Sequence, residues 1–373
     1  MWRTALRFLL YDKAKSIGAM AGVILSVFLI GQQSGIFIFL TNAMCSLSRN
    51  NSQYIWVIDD KATNVNALSS LDMRKARELA SIPGVSRVNP LVVAGGTARF
   101  QNGKTSGVLL IGSQYPEFAG GPWNVEAGKK EALLREGAVF TEYFDRDALG
   151  DARIGDFFEI NGKQVFIAGN TRGVTSFGGV YVFTSIERAR FLGSVPTDKA
   201  SAFLLEWNPS VSRESIISLI NRNLEGLRAW KEEDLSNSTV SEVLKSSGIG
   251  FSVGTLIIFA LITGFVIIGL TLYSAAIDRL KDYGTLKAIG ANNGFIRRLI
   301  LTQALIVSVV GFFIGFAFVL GFRNGIAQAG TIFDYPLWLR LGFFVITLFI
   351  AFTGCTFAIR RITGLEPSAI FRA

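Results

Sequence analysis

Three short stretches carry residue types and spacings that could do chemistry. Gly103-Lys104-Thr105 ends like a phosphate-binding loop, whose backbone amides and lysine cradle the phosphates of a nucleotide. That loop requires a glycine five positions before its second one, and position 98 is alanine. Asn102-Gly103 also sits between two strand-like runs, so the stretch reads as a hairpin turn. Asp145, Asp147 and Asp151 in YFDRDALGD place carboxylates close together, as a calcium loop does, but the spacing and the closing glutamate fail. They read as a solvated turn. Cys45 and Cys355 lie far apart in sequence and form no CxxC, so neither a zinc site nor a disulfide framework is expected. The chain of 373 residues contains no histidine, so histidine-dependent nucleophilic catalysis is excluded and the commonest metal ligand is missing. No catalytic constellation, no metal site and no resident cofactor is expected.

The elements around these stretches explain the absence. Half of the residues are hydrophobic and the mean hydropathy is +0.40, too apolar for a soluble chain of this size. Four runs reach the roughly 20 apolar residues that cross a bilayer as a helix: Ser16 to Leu40, Ser246 to Ile277, Leu299 to Phe322 and Leu341 to Ile359. The apolar region of the first is too long for a cleaved signal, so it reads as an anchor.

Charge orients the spans. The segments flanking them hold fourteen Lys/Arg against five acids, an excess equal to the whole formal net charge of +9. The region between the first two spans balances 23 basic with 23 acidic residues. The positive-inside rule therefore places residues 1–15, the loop 278–298 and the tail 360–373 in the cytoplasm, and residues 41–245 and 323–340 outside. The basic excess is a topology signal, and nothing supports nucleic-acid binding. Residues 41–245 read as an α+β domain. Ser70 is expected to cap a helix over LDMRKARELASIPG, and VSRESIISLINRNL a second, amphipathic helix. Strands are expected over RVNPLVVAGGTARF, KTSGVLLIGSQ and GGVYVFTS, with a hairpin at Asn161-Gly162. The flanks, roughly 41–58 and 231–250, are expected to continue the first two spans as a helical stalk.

Two features of the spans stand out. Gly18/Gly22, Gly31/Gly35, Gly250/Gly254 and Gly311/Gly315 are GxxxG pairs, a spacing that lets helix backbones approach closely in lipid. The pairs in spans one and two are expected to support a homodimer. Gln32 and Gln33 put two neutral amides in an apolar helix, where they require protein partners or a wet crevice.

The loop between spans two and three carries the most information. In DRLKDYGTLKAIGANNGFIRRLILTQA, Tyr283, Leu286 and Ile289 recur at near-helical spacing. Asp282 to Gly290 is expected to form a helix whose apolar side sinks into a groove of a partner, with Lys281, Asp282 and Lys287 at the rim. Gly290 is expected to end that helix, and Asn292-Asn293-Gly294 to turn the chain back.

This loop resembles that of the FtsX-like, MacB-type permeases of ABC transporters. Tyr283, the run Thr285 to Gly290, and Gln303-Ala304 are similar to the DevC subgroup of heterocyst-type exporters. QQSGIF (Gln32 to Phe37), SFGG (Ser176 to Gly179) and the terminal LEPSAIFRA share that resemblance. Gly284 departs from an alanine favoured by the subgroup, which loosens the helix by roughly 1 kcal/mol. The resemblance implies four transmembrane helices with an extracytoplasmic α+β domain and a multi-pass protein of the bacterial inner membrane. It implies a mechanotransmitting permease without enzymatic activity of its own, working as a homodimer. A separate cytoplasmic ATPase subunit would bind ATP and Mg and dock on Lys281, Asp282, Tyr283, Leu286, Lys287, Ile289 and Gly290. A periplasmic membrane-fusion adaptor and a TolC-like outer-membrane channel would complete a tripartite exporter of lipid, glycolipid, peptide or similar substrate. The alternative is an FtsX-type regulator passing ATPase motion to a cell-wall hydrolase.

Overall fold

Apolar runs without an internal charge leave a backbone no partner but itself, so they fold as long helices; alternating runs punctuated by Asn-Gly fold as strands. Both kinds of element are present. The structure, a computed structural model, describes residues 2–11 and 13–363. The terminal LEPSAIFRA and most of the 360–373 tail lie outside the described residues.

In chain order the elements are α1 (Trp2–Tyr11), α2 (Lys13–Met44), α3 (Ser46–Arg49), β1 (Ile55–Asp59), β2 (Leu71–Asp72), α4 (Arg74–Ala80), β3 (Val85–Arg99) and β4 (Thr105–Ser113). There follow β5 (Val125–Ala127), a 3₁₀ turn (Lys130–Leu134), β6 (Ala138–Glu142), β7 (Phe157–Ile160), β8 (Lys163–Thr171), β9 (Val180–Ser185) and α5 (Ile186–Gly193). The remainder are β10 (Lys199–Ala200), β11 (Ala202–Trp207), α6 (Arg213–Asn223), β12 (Leu227–Trp230), α7 (Glu232–Ser246), α8 (Ile249–Ile277), α9 (Leu280–Ala288), α10 (Asn293–Ala327) and α11 (Leu337–Thr363). They divide into two units: Met1–Ile38, Phe251–Gln328 and Ile332–Ala373 form the first, and Phe39–Gly250 with Ala329–Thr331 the second.

The first unit contains the four helices long and apolar enough to cross a membrane: α2, α8, α10 and the span within α11. Its glycines are contact points. A Cβ at Gly22 would meet Thr271 of α8 at 2.8 Å, and one at Gly31 would meet Val319 of α10 at 2.6 Å. Gly35 faces Phe333 and Tyr335, and the Tyr335 hydroxyl donates to the Gly31 carbonyl at 2.7 Å. In return α10 receives Val23 at Gly311 and Val27 at Gly315. Gly354 of α11 lies against the backbone of Gly269 in α8, a pairing that its sequence spacing does not announce. Phe251, Ile258, Phe259, Ile262, Val266 and Leu270 leave a long apolar face of α8 exposed.

The second unit is built on a ten-stranded mixed sheet, in the order β12-β1-β11-β3-β4-β9-β6-β8-β5, with β7 pairing to β3 and β8. Asn161 and Gly162 both take positive φ, 51° and 74°, the left-handed pair that a two-residue hairpin needs between β7 and β8. The β3–β4 hairpin likewise turns at Asn102-Gly103, so the Gly-Lys-Thr stretch is a turn. The sheet is mixed because β4 runs parallel to β9 and β6 parallel to β8. Helices α4 and α6 pack on the β1–β11–β12 end, burying Leu79, Ile216 and Ile220 with Phe203 and Leu205. Another cluster, on Trp56, Phe140, Tyr181 and Phe183, fills the core around the 3₁₀ turn.

Two expectations require correction. Ser70 caps nothing: Leu71-Asp72 pair with Lys199-Ala200, and the helix starts after Met73. The Asp72 carboxylate accepts from the Arg74 amide at 2.8 Å, which holds this chain entry open as a turn, and the Arg74 guanidinium beside it keeps Asp72 well below the usual carboxylate range. The helical flank after α2 stops at Arg49, because Ile55–Asp59 is recruited between β11 and β12. The shorter flanks do meet, through α3 and α7, where the Ser48 and Ser236 hydroxyls lie 2.9 Å apart.

Candidate functional site

The loop singled out by its glycines and charges is the short helix α9, and its ends are sharply defined. The chain leaves α8 through a turn at Asp278-Arg279. At the other end Gly290 takes φ +104°, its amide donates to the Lys287 carbonyl at 3.0 Å, and the Ala291 amide donates to Leu286 at 2.9 Å. This pair of bonds is a Schellman closure, which satisfies carbonyls that a helix end otherwise leaves unpaired. Asn292 then caps α10, its side chain accepting from the Phe295 amide at 2.7 Å.

The apolar side chains of α9 do not share one face. A spacing of three drifts about 60° per step around a helix, so Tyr283 and Ile289 end about 120° apart. Tyr283 turns inward and is 1% exposed. Its ring stacks on Phe8 of α1, with centroids 6.2 Å apart, and its hydroxyl donates to Gln303 Oε1 of α10 at 2.8 Å. Burial pushes the Tyr283 phenol above its ordinary range. Ile289, at the C-cap, is 81% exposed. Leu286 and Lys287 are half-buried, and the Lys287 ammonium donates to the Ile362 carbonyl of α11 at 3.4 Å. Lys281, Asp282, Thr285, Ala288 and Gly290 face outward. The predicted contact set therefore splits: Tyr283 fastens α9 to its own chain, and the outward set presents Lys281, Asp282 and Ile289.

The fastening residues Phe8, Ser16, Arg279 and Gln303 had no assigned role in the sequence. An arginine just past the end of a long uncharged run and a glutamine inside an apolar one were the available signals. Arg279 is 4% exposed, and its guanidinium donates to the Ser16 hydroxyl at 2.9 Å; Ser16 donates onward to the Leu9 carbonyl at 2.7 Å. Elsewhere, Gln32 and Gln33 are half-buried within α2. Gly18 and Gly254 have open space around them, whereas Gly250 meets Leu244.

The second unit has its own polar pocket, a cavity of about 240 Å³ whose lining includes Glu142, Asp145, Ser176, Gly179 and Gly330. Glu142 is buried and saturated: it accepts from Thr171 at 2.6 Å, Gly173 at 2.7 Å and Val174 at 3.0 Å. Asp145 is partly buried, and desolvation, with the Glu142 charge nearby, raises its pKa to about 6. Ser176 closes the SFGG stretch by donating to the Gly179 carbonyl. Among the described residues no group of three or more acidic or cysteine side chains is placed to hold a metal ion.

Residues 16–222 match the MacB-like periplasmic core domain, and residues 254–367 match the FtsX-like permease C-terminal family. The chain belongs to the MacB/FtsX family of ABC transporter permeases. Among relatives, it is 23% identical over 293 residues to a macrolide export ATP-binding/permease protein MacB of Paracoccus denitrificans, a match that takes in 75% of this chain and 43% of that protein. It is also 23% identical over 299 residues to an uncharacterized ABC transporter permease of Mycobacterium tuberculosis, covering 79% of this chain and 76% of the relative. Solved structures that align with it include the extracellular domain of the noncanonic ABC-type transporter YknZ, at 16% identity and TM-score 0.36, covering 48% of this chain and 99% of that domain. The periplasmic region of MacB from Actinobacillus actinomycetemcomitans aligns at 10% identity and TM-score 0.37, covering 52% of this chain and 93% of that region. This MacB/FtsX permease thus combines four membrane-spanning helices with an α+β domain inserted between the first two.

Proposed function

We propose that the chain is the mechanotransmitting membrane subunit of an ABC exporter, a DevC-like permease whose ATPase is a separate cytoplasmic protein. The charge distribution of the flanking segments supports placing α9 in the cytoplasm and the α+β domain in the periplasm of an inner membrane. In that orientation α9 is the coupling helix. Two copies each dock one ATPase, ATP-driven closure moves the spans, and the α+β domain relays that motion to an adaptor and an outer-membrane duct. The cargo is a lipid, glycolipid, peptide or similar molecule, and it need not enter the spans.

The observation that carries this reading is the two-sided character of α9. Its inner side is tied to α1 and α10 through Tyr283, so a push on it is transmitted rather than absorbed. Its outer side offers Lys281 and Asp282 in the first turn and Ile289 at the C-cap, with Leu286 half-buried. Burying one Ile or Leu against a partner contributes about 1.5–3 kcal/mol, and the rim charges set register more than affinity. Co-purification of the ATPase, and its adaptor-stimulated ATP hydrolysis, are measured for Leu286→Asp and Ile289→Asp beside a control at Asn293→Asp. Ile289→Asp is expected to release or uncouple the ATPase, with a smaller effect at Leu286. Unchanged coupling in both apolar variants would sink the reading.

A further inference from the structure

The junction behind α9 holds a cavity of about 30 Å³, lined by Ser16, Arg279, Gln303 and Cys355 among apolar neighbours from α1, α2, α8 and α10. Two features set it apart. Arg279 is 4% exposed and Gln303 is 7% exposed, so both polar groups are shut in with apolar side chains. Arg279 Nε and Gln303 Nε2 are also both buried without an acceptor in the protein. A buried guanidinium is ordinarily matched by a carboxylate, because an uncompensated charge in an apolar setting is costly. Here its protein partner is the neutral hydroxyl of Ser16. Asp278 and Asp282 flank Arg279 in sequence, but both are exposed and neither forms an ion pair with it among the described residues.

We infer that this cavity is a binding site for one small monatomic anion of the halide class, held by Arg279 Nε–H and Gln303 Nε2–H. The donor inventory decides the chemistry. The two unpartnered side-chain atoms of the lining residues, Arg279 Nε and Gln303 Nε2, are both donors, so what they lack is an acceptor. A water would leave the guanidinium charge uncompensated, whereas an anion neutralises it as well as accepting from both donors. The volume accommodates one small ion. Exposed Arg3, Arg7 and Lys13 on the neighbouring helices raise the local concentration of anions. Bound there, the anion would neutralise Arg279 and brace the start of α9 against α2 and α10. This inference is independent of ATPase docking.

The test uses the full-length chain in nanodiscs without any partner. Thermal unfolding is followed as sodium gluconate is replaced by sodium bromide or chloride at constant ionic strength, with sodium sulfate as a further arm. Wild type is expected to show a saturable rise in Tm of about 2–4 °C with halide and none with sulfate. Arg279→Gln is expected to abolish the response. Should that variant fail to fold, Gln303→Leu keeps the charge, removes one donor and is expected to weaken bromide binding about tenfold. Bromide-soaked crystals of the wild type should give an anomalous peak within hydrogen-bond distance of Arg279 Nε. Equal responses in wild type and Gln303→Leu, a sulfate response matching halide, no halide response, or no peak at saturating bromide would each overturn the site.

Discussion

Tyr283 shows how one side chain can fasten a loop. Its ring and its hydroxyl engage different helices, so its two contributions separate experimentally. Tyr283→Phe keeps the stack on Phe8 but strands the Gln303 carbonyl oxygen, and is expected to lower stability by about 1 kcal/mol. Tyr283→Ala also opens a cavity and is expected to cost about 3–5 kcal/mol. Chemical unfolding in detergent, read by tryptophan fluorescence, distinguishes the two; equal losses would mean that the ring contributes nothing. Asp145 makes a prediction in pH. Its pKa is raised from 3.8 to about 6, so the folded chain holds this proton more tightly than the unfolded one. Stability from this group is complete below 3.8, falls as pH rises between the two values, and is lost above 6. Asp145→Asn removes the dependence. Between pH 5 and 8 the wild type is expected to lose up to about 1 kcal/mol relative to that variant, a figure reduced for its partial exposure. Parallel pH profiles for the two proteins would show that Asp145 titrates normally.

At the level of the element, α9 is held by its termination as much as by its packing. Gly290 sits at φ +104° because the Schellman closure requires a left-handed residue just past the helix end. Gly290→Ala places a Cβ in that conformation and is expected to cost about 1–2 kcal/mol. Space is not the issue, since nothing lies within 4 Å of that Cβ. The loss should therefore appear at full size in unfolding experiments, with Gly294→Ala, inside the first turn of α10, as the near-neutral comparison. If both substitutions behaved alike, the positive φ would not be what Gly290 supplies.

For the molecule as a whole, the glycine pattern and the exposed surface divide the work between them. Gly22, Gly31 and Gly35 are filled by side chains of the same chain, so they cannot also receive a second copy. The apolar face of α8, with Gly254 in it and Gly18 on α2, has room for a second copy in the proposed homodimer. Single cysteines along α8, in a background lacking Cys45 and Cys355, are expected to cross-link at Phe259, Ile262 and Val266. Inward Ala260, Gly264 and Ile268 should stay silent. Uniform cross-linking along the helix would argue against an α8 interface.

Hydropathy in the sequence was sufficient for four spans, because lipid allows one solution to a long uncharged run, and the alternating runs between the first two were sufficient for an inserted α+β domain. Local turn chemistry likewise located the hairpins at Asn102-Gly103 and Asn161-Gly162, since it depends on adjacent residues. The rest depended on partners distant in sequence. The parallel pairing of β4 with β9 follows no local rule, and Ile55–Asp59 became a strand only because β11 and β12 flank it. In α9 the spacing of Tyr283, Leu286 and Ile289 announced a helix but not which side faces in. That was decided by Phe8 and Gln303, 275 residues before and 20 after Tyr283, which gave its ring and hydroxyl somewhere to be buried. In the sequence Arg279 is one more positive charge at a membrane face. Tertiary packing, by closing Leu9, Ser16 and Gln303 around it, made it a buried cation without a carboxylate.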